Sequence, residues 1–249
     1  MIDTVILTIA KSKVTMLTPS GERTVWDLQS QTRSYSKFIN NPSAADLASG
    51  LYFPRLTGVR RRDVGGVWNS TLKIEFSAPK LLYKNNLDEL DDAQFDEVVG
   101  ALRDRLRRMG VQIFSKDIEN ASVAAVHYSK NLELRDGYTA QYVIGELGKI
   151  NLNKRFDLTK VRYMNNGQSI CVYSKAHSFV IYDKIADLNK GQKRAIDKDQ
   201  TRYQLNLFDD LKVTQEILRL EVRLSEKRKM NALFKQLGLE ENPTFKKVF

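Results

Sequence analysis

Leu218-Arg219-Leu220-Glu221-Val222-Arg223-Leu224 alternates apolar and charged residues without interruption. Successive side chains of a β-strand point to opposite faces, so Leu218, Leu220, Val222 and Leu224 fall on one side and Arg219, Glu221 and Arg223 on the other. A strand of this kind packs one face on a core and leaves charge on its second face, the pattern of an antiparallel sheet covered on one side.

The same alternation recurs upstream. Thr71 to Phe76 (TLKIEF) sets Leu72, Ile74 and Phe76 against Lys73 and Glu75. Strands are also expected over DTVILTI at the start, Lys13 to Leu17, Ser122 to Tyr128, Ser169 to Tyr173 and His177 to Asp183, with a turn at Asn165-Asn166-Gly167. Between the strands the period changes from two to that of a helix. After Asp91-Asp92, Phe95, Val98, Val99, Leu102, Leu106 and Met109 are spaced as one helical face that ends at Gly110. A shorter helix is expected over Thr139 to Lys149. A last one starts at Ser225, uses Met230, Leu233, Phe234 and Leu237, and stops at Gly238. Residues 29 to 65 read as loop with short strands, and 184 to 200 as a basic loop or exposed helix. Strands interleaved with helices, most strands having one polar face, predict an α+β fold: an antiparallel sheet with helices on one face and an open polar face. No repeat or Pro/Gly-rich linker divides the chain, so residues 1 to 249 are expected to form a single domain.

The chain has 249 residues, of which 42% are hydrophobic and 28% charged, a composition that excludes a disordered or collagen-like chain. No apolar run approaches the roughly 20 residues that cross a bilayer, and no membrane partner is expected. The single cysteine, Cys171, excludes an intramolecular disulfide and agrees with a reducing cytoplasm. The net charge of +10 favours a polyanionic partner, because binding releases counterions from the polyanion. Arg60-Arg61-Arg62 reads either as a solvated turn or as a phosphate contact.

On the face opposite the core, parity gathers Lys73, Glu75, Arg219, Glu221 and Arg223. It adds Tyr182, because Phe179 and Ile181 belong with the core, and His127 if Val126 and Tyr128 turn inward. Two carboxylates with one imidazole suit a hard divalent cation, Mg²⁺ or Mn²⁺. A tyrosine beside such a site is a candidate nucleophile, since positive charge favours the phenolate. Each residue also has an ordinary reading: Glu75 and Glu221 paired with sheet cations, His127 a satisfied imidazole, Tyr182 a packed aromatic.

IEFSAPKLLYKNN (74 to 86), FVIYDKIADL (179 to 188), LRLEVRL (218 to 224) and the opening MIDTVIL together resemble the replication initiators of filamentous phages, the gene II type, and their plasmid relatives. The resemblance implies the rolling-circle tyrosine nickase fold, binding of a double-stranded origin, and metal-dependent nicking and rejoining of one strand. It also implies double-stranded origin DNA and the nicked single strand as partners, with a host helicase, in a bacterial cytoplasm. The family's Tyr-x-Lys string corresponds to Tyr182-Asp183-Lys184, making Tyr182 the expected nucleophile, with Tyr173 as its rival and Lys184 assisting. Arg219-Leu220-Glu221 and Ile74-Glu75-Phe76 match two further strands of the family. The paired histidines common among tyrosine nickases are absent: His127 and His177 stand fifty residues apart. The expected metal set is therefore Glu75, His127 and Glu221. Arg60, Arg61, Arg62, Lys73, Lys175, Lys190, Lys193, Arg194, Arg219 and Arg223 are expected to meet DNA. Family members continue past the position of Phe249. A non-catalytic DNA-binding initiator or repressor, and an RNA-binding sheet using Tyr128, Tyr173 and Tyr182, are the competing classes.

Overall fold

The computed structural model describes residues 1–17, 35–40, 48, 50–62, 64–150, 158–164, 167–174, 178–188, 216–238 and 242–249. In chain order its longer elements are β1 (Ile2–Ala10), β2 (Thr15–Met16), β3 (Tyr35–Asn40), β4 (Arg55–Arg62), β5 (Trp68–Ser77) and α1 (Ala78–Tyr83). There follow α2 (Phe95–Arg108), β6 (Val111–Gln112), α3 (Ser115–Glu119), β7 (Ser122–Leu134), α4 (Ala140–Gly148), β8 (Leu158–Met164), β9 (Ser169–Ser174) and β10 (Ser178–Asp183). The chain closes with α5 (Lys184–Leu188), β11 (Glu216–Leu224), α6 (Lys227–Gln236) and α7 (Phe245–Val248). The fold is α+β, and β1–β5, β2–β6, β3–β4, β4–β5, β7–β11, β8–β9, β9–β10 and β10–β11 all pair antiparallel. Its residues group into two compact units.

One unit comprises Thr4–Lys84, Leu90–Ala124 and Asn242–Phe249. Its strands run in the order β3-β4-β5-β1. Leu72, Ile74 and Phe76 are buried, whereas Lys73 is exposed and Glu75 half-buried, the alternation expected of a strand with one wet face. Asp91 and Gln94 form a capping box ahead of α2, which satisfies backbone N–H groups that the first turn cannot pair. Phe95, Val98, Val99, Leu102 and Leu106 are the buried stripe of α2, and Gly110 follows with a φ of +76° that a side chain would resist. Phe76 and Phe95 both pack on Phe245 of α7, with ring centroids 5.8 and 5.2 Å apart. The strand expected over Lys13 to Leu17 is the two-residue β2, paired with β6.

The other unit comprises Met1–Asp3, Asn85–Glu89 and Ala125–Glu241. Its strands run β7-β11-β10-β9-β8. On one face Leu218, Ile181, Ile170 and Val172 pack against Ala140 and Ile144 of α4, with Phe179 and Leu220 alongside. Two side chains tie down the start of α4: Thr139 Oγ1 accepts from Tyr142 N–H at 3.1 Å, and Glu216 carboxylate accepts from Ala140 N–H at 2.9 Å. No helix among the described residues is long and apolar enough to cross a membrane.

A buried polar face as candidate functional site

The second face of the β7-β11-β10-β9 sheet carries the expected site, and the strand register fixes its rows. Tyr182 lies opposite Arg219, which lies opposite Asn131. One pair along, Val180, Glu221 and Ser129 form the next row, and Ser178, Arg223 and His127 the one after. Parity therefore placed Tyr182, Arg219, Glu221, Arg223 and His127 on one face correctly.

That face is not open, however. Arg219 is 0% exposed and Glu221 4%. The segment Asn85–Glu89 supplies the reason: Asn86 carbonyl accepts from Arg219 Nη1 at 2.6 Å, and Leu87 carbonyl accepts from Asn131 Nδ2 at 2.8 Å. Arg219 Nη1 also reaches Asn131 Oδ1 at 3.2 Å, while Nη2 donates to Ser129 Oγ at 2.9 Å and pairs with Asp3 Oδ2 at 2.8 Å. Asp3 is held nearby because Ser129 N–H donates to the Met1 carbonyl at 2.9 Å. The guanidinium thus spends its terminal nitrogens on four acceptors, and its buried Nε has no partner among the described residues. Expected to meet DNA, Arg219 is instead an interior cation that no phosphate can reach in this arrangement.

Glu221 is held as firmly. Its Oε1 accepts from Arg223 Nε at 3.0 Å and lies 3.2 Å from His127 Nδ1, and its Oε2 accepts from Arg223 Nη2 at 3.2 Å. Burial alone would raise its pKa, but the hydrogen bonds from His127 and Arg223 prevail and hold the carboxyl far below the usual range. Tyr182, half-buried, shows the reverse balance. Desolvation drives the phenol far above its ordinary value, and Arg219 charge offsets only part of that rise while Glu221, Asp187 and Asp3 add to it. The phenol is therefore neutral at pH 7.

The remaining expected residues are dispersed. Glu75 belongs to the other unit, where its carboxylate lies 3.9 Å from Arg55. Among the described residues no group of three His, Cys, Asp or Glu side chains is placed to hold a metal ion. A hard cation needs several oxygen donors with available lone pairs. Both oxygens of Glu221 are already engaged by Arg223, so the residues at this face do not fit Mg²⁺ or Mn²⁺. Tyr173 is half-buried, in register with Ser178. Lys184 is buried at the start of α5, where Asp183 caps the helix by accepting from Ala186 N–H at 2.8 Å. Lys175, Lys190, Lys193, Arg194 and His177 lie outside the described residues.

Sequence reasoning missed Asp3, Asn86, Ser129 and Asn131, which engage the terminal nitrogens of Arg219. The strand alternation of β7 carried a signal for Ser129 and Asn131, since both continue the parity of His127. Comparison of the chain with family models, with curated proteins and with solved structures finds no match.

Proposed function

We propose that the chain is a rolling-circle replication initiator that nicks and rejoins one DNA strand through Tyr182. The observation that carries this reading is the register of Tyr182 against Arg219, with Glu221 one pair further along the same face. The net charge of +10 and the ordered resemblance of four sequence strings to gene II type initiators support it as well.

In the proposed reaction the Tyr182 oxygen attacks the scissile phosphorus and the bond from phosphorus to the 3′ oxygen breaks. The phenol proton passes to a base, the departing 3′ oxygen takes one up, and a 5′-phosphotyrosyl link remains. Resealing is the reverse transfer, so the phosphodiester bond energy is conserved. The fixed charge of Arg219 favours the phenolate against the burial that opposes it. The resemblance brings with it a Mg²⁺ or Mn²⁺ requirement.

The engagement of both terminal nitrogens of Arg219 and both oxygens of Glu221 favours a second reading, a DNA-binding initiator or repressor without chemistry. One assay separates them. Random-sequence single-stranded oligonucleotides labelled at the 3′ end are incubated with the protein in Mg²⁺, Mn²⁺ or EDTA, and SDS-stable adducts are resolved on a gel. The nickase reading expects a labelled adduct that Tyr182→Phe abolishes and Tyr173→Phe retains, and the EDTA lane reads the metal requirement. DNA binding without adduct in any lane establishes the second reading instead.

A further inference from the structure

The β4–β5 hairpin belongs to the other unit. Its strands pair from Arg55 opposite Glu75 out to Arg62 opposite Trp68. Leu56, Thr57, Gly58, Leu72 and Ile74 are buried at the base, whereas Arg61, Arg62, Val64, Val67 and Asn69 are exposed towards the tip. Charge changes along the same strand. Arg55 at the base lies beside Glu75, but none of Arg60, Arg61 and Arg62 forms an ion pair with a carboxylate among the described residues. The stretch Arg60-Arg61-Arg62-Asp63-Val64-Gly65-Gly66-Val67-Trp68 holds three arginines against one aspartate.

Two contacts hold described residues of the tip. Arg60 stacks its guanidinium over the Trp68 ring at 4.5 Å from the centroid, and Arg62 Nε donates to the Gly66 carbonyl at 3.0 Å across the turn. Gly66 takes a φ of +81°, which lets the chain reverse there. Arg60 and Arg62 share one face of β4 and Arg61 takes the other, so the tip offers cations on both sides, and those already held in place on the strand cost little conformational entropy on meeting phosphates.

We propose that this hairpin tip grips the backbone of duplex DNA, with Arg61 and Arg62 on phosphates and Arg60 held against Trp68 as a third cation beside them. The assignment rests on the nucleic-acid reading above and adds to it the segment that engages the double-stranded partner.

The test titrates the full chain with fluorescein-labelled random-sequence duplex DNA at several salt concentrations, following anisotropy. Each lost phosphate contact lowers the slope of log K against log salt by about 0.9, so Arg61→Gln with Arg62→Gln lowers it by about 1.8 and weakens binding roughly 50-fold at 0.1 M salt. Arg61→Lys with Arg62→Lys restores most of the slope, because the charge is retained. Adduct formation on single-stranded oligonucleotides is followed in parallel as a separate readout of the nicking reading. An unchanged duplex slope in the Gln variant overturns the assignment, as does an equal loss on double-stranded RNA, which marks an RNA partner instead. If no variant and no wild-type protein forms an adduct, the nicking reading falls while the salt slope still decides the hairpin.

Discussion

Replacing Arg219 by Met tests whether the polar face is an interior network. The wild-type guanidinium is 0% exposed and satisfies Asp3, Asn86 carbonyl, Ser129 and Asn131. Methionine fills similar volume but leaves the Asp3 carboxylate, 7% exposed, without its cation. Removing one partner of a buried ion pair costs about 3–5 kcal/mol, most of it the desolvation of the charge left behind. With a urea slope of about 2 kcal/mol per molar, the unfolding midpoint falls by roughly 1.5–2.5 M. Combining Arg219→Met with Asp3→Asn removes the stranded charge, so the double variant is expected to be more stable than Arg219→Met alone. Urea denaturation followed by circular dichroism and by Trp fluorescence measures both. A loss below about 1 kcal/mol for Arg219→Met refutes the reasoning, since only a solvated guanidinium is removed so cheaply.

Glu221 is held ionised in the fold, so its stabilisation is complete above the ordinary carboxylate value of 4.5 and is lost as pH falls through that value and below it. Glu221→Gln should therefore flatten the acid side of a stability profile recorded by urea denaturation between pH 3 and 7. Tyr182 is neutral at pH 7 because burial raises its pKa, so the rate of adduct formation should climb about tenfold per pH unit from pH 7 to 9, read by quenched time courses. A flat profile would show that phenol ionisation does not limit the step. Asp183→Ala removes the cap of α5 and should cost about 1 kcal/mol in the same denaturation assay, without altering duplex binding.

Much of this architecture was legible because local periodicity decided it. The apolar stripe from Phe95 to Leu106 could close only as a helix, and Gly110 marked its end. Alternation in LRLEVRL and TLKIEF set which residues share a face. Burial of the polar face was not legible, since it depends on Asn85–Glu89 and Asp3, distant in sequence, supplying acceptors to Arg219. Parity says which side a residue points to and nothing of what lies across it. Glu75 shows the same limit: its alternation matched that of Glu221, yet it faces Arg55 in the other unit. Leu237 kept helical spacing but is exposed, because α6 ends at Gln236 before that turn can pack. Asp183 had a local reason that the Tyr-Asp-Lys string concealed, the cap of the helix that follows.

Mapping the DNA-linked tyrosine by mass spectrometry tests the central claim most directly. Trypsin releases Tyr182 in Ala176–Lys184, in which it is the single tyrosine, and Tyr173 in a separate peptide ending at Lys175. The account predicts that nuclease-trimmed adduct carries its nucleotide on the peptide AHSFVIYDK. A nucleotide on the Tyr173 peptide, or recovery of both peptides unmodified from protein that binds DNA, contradicts it.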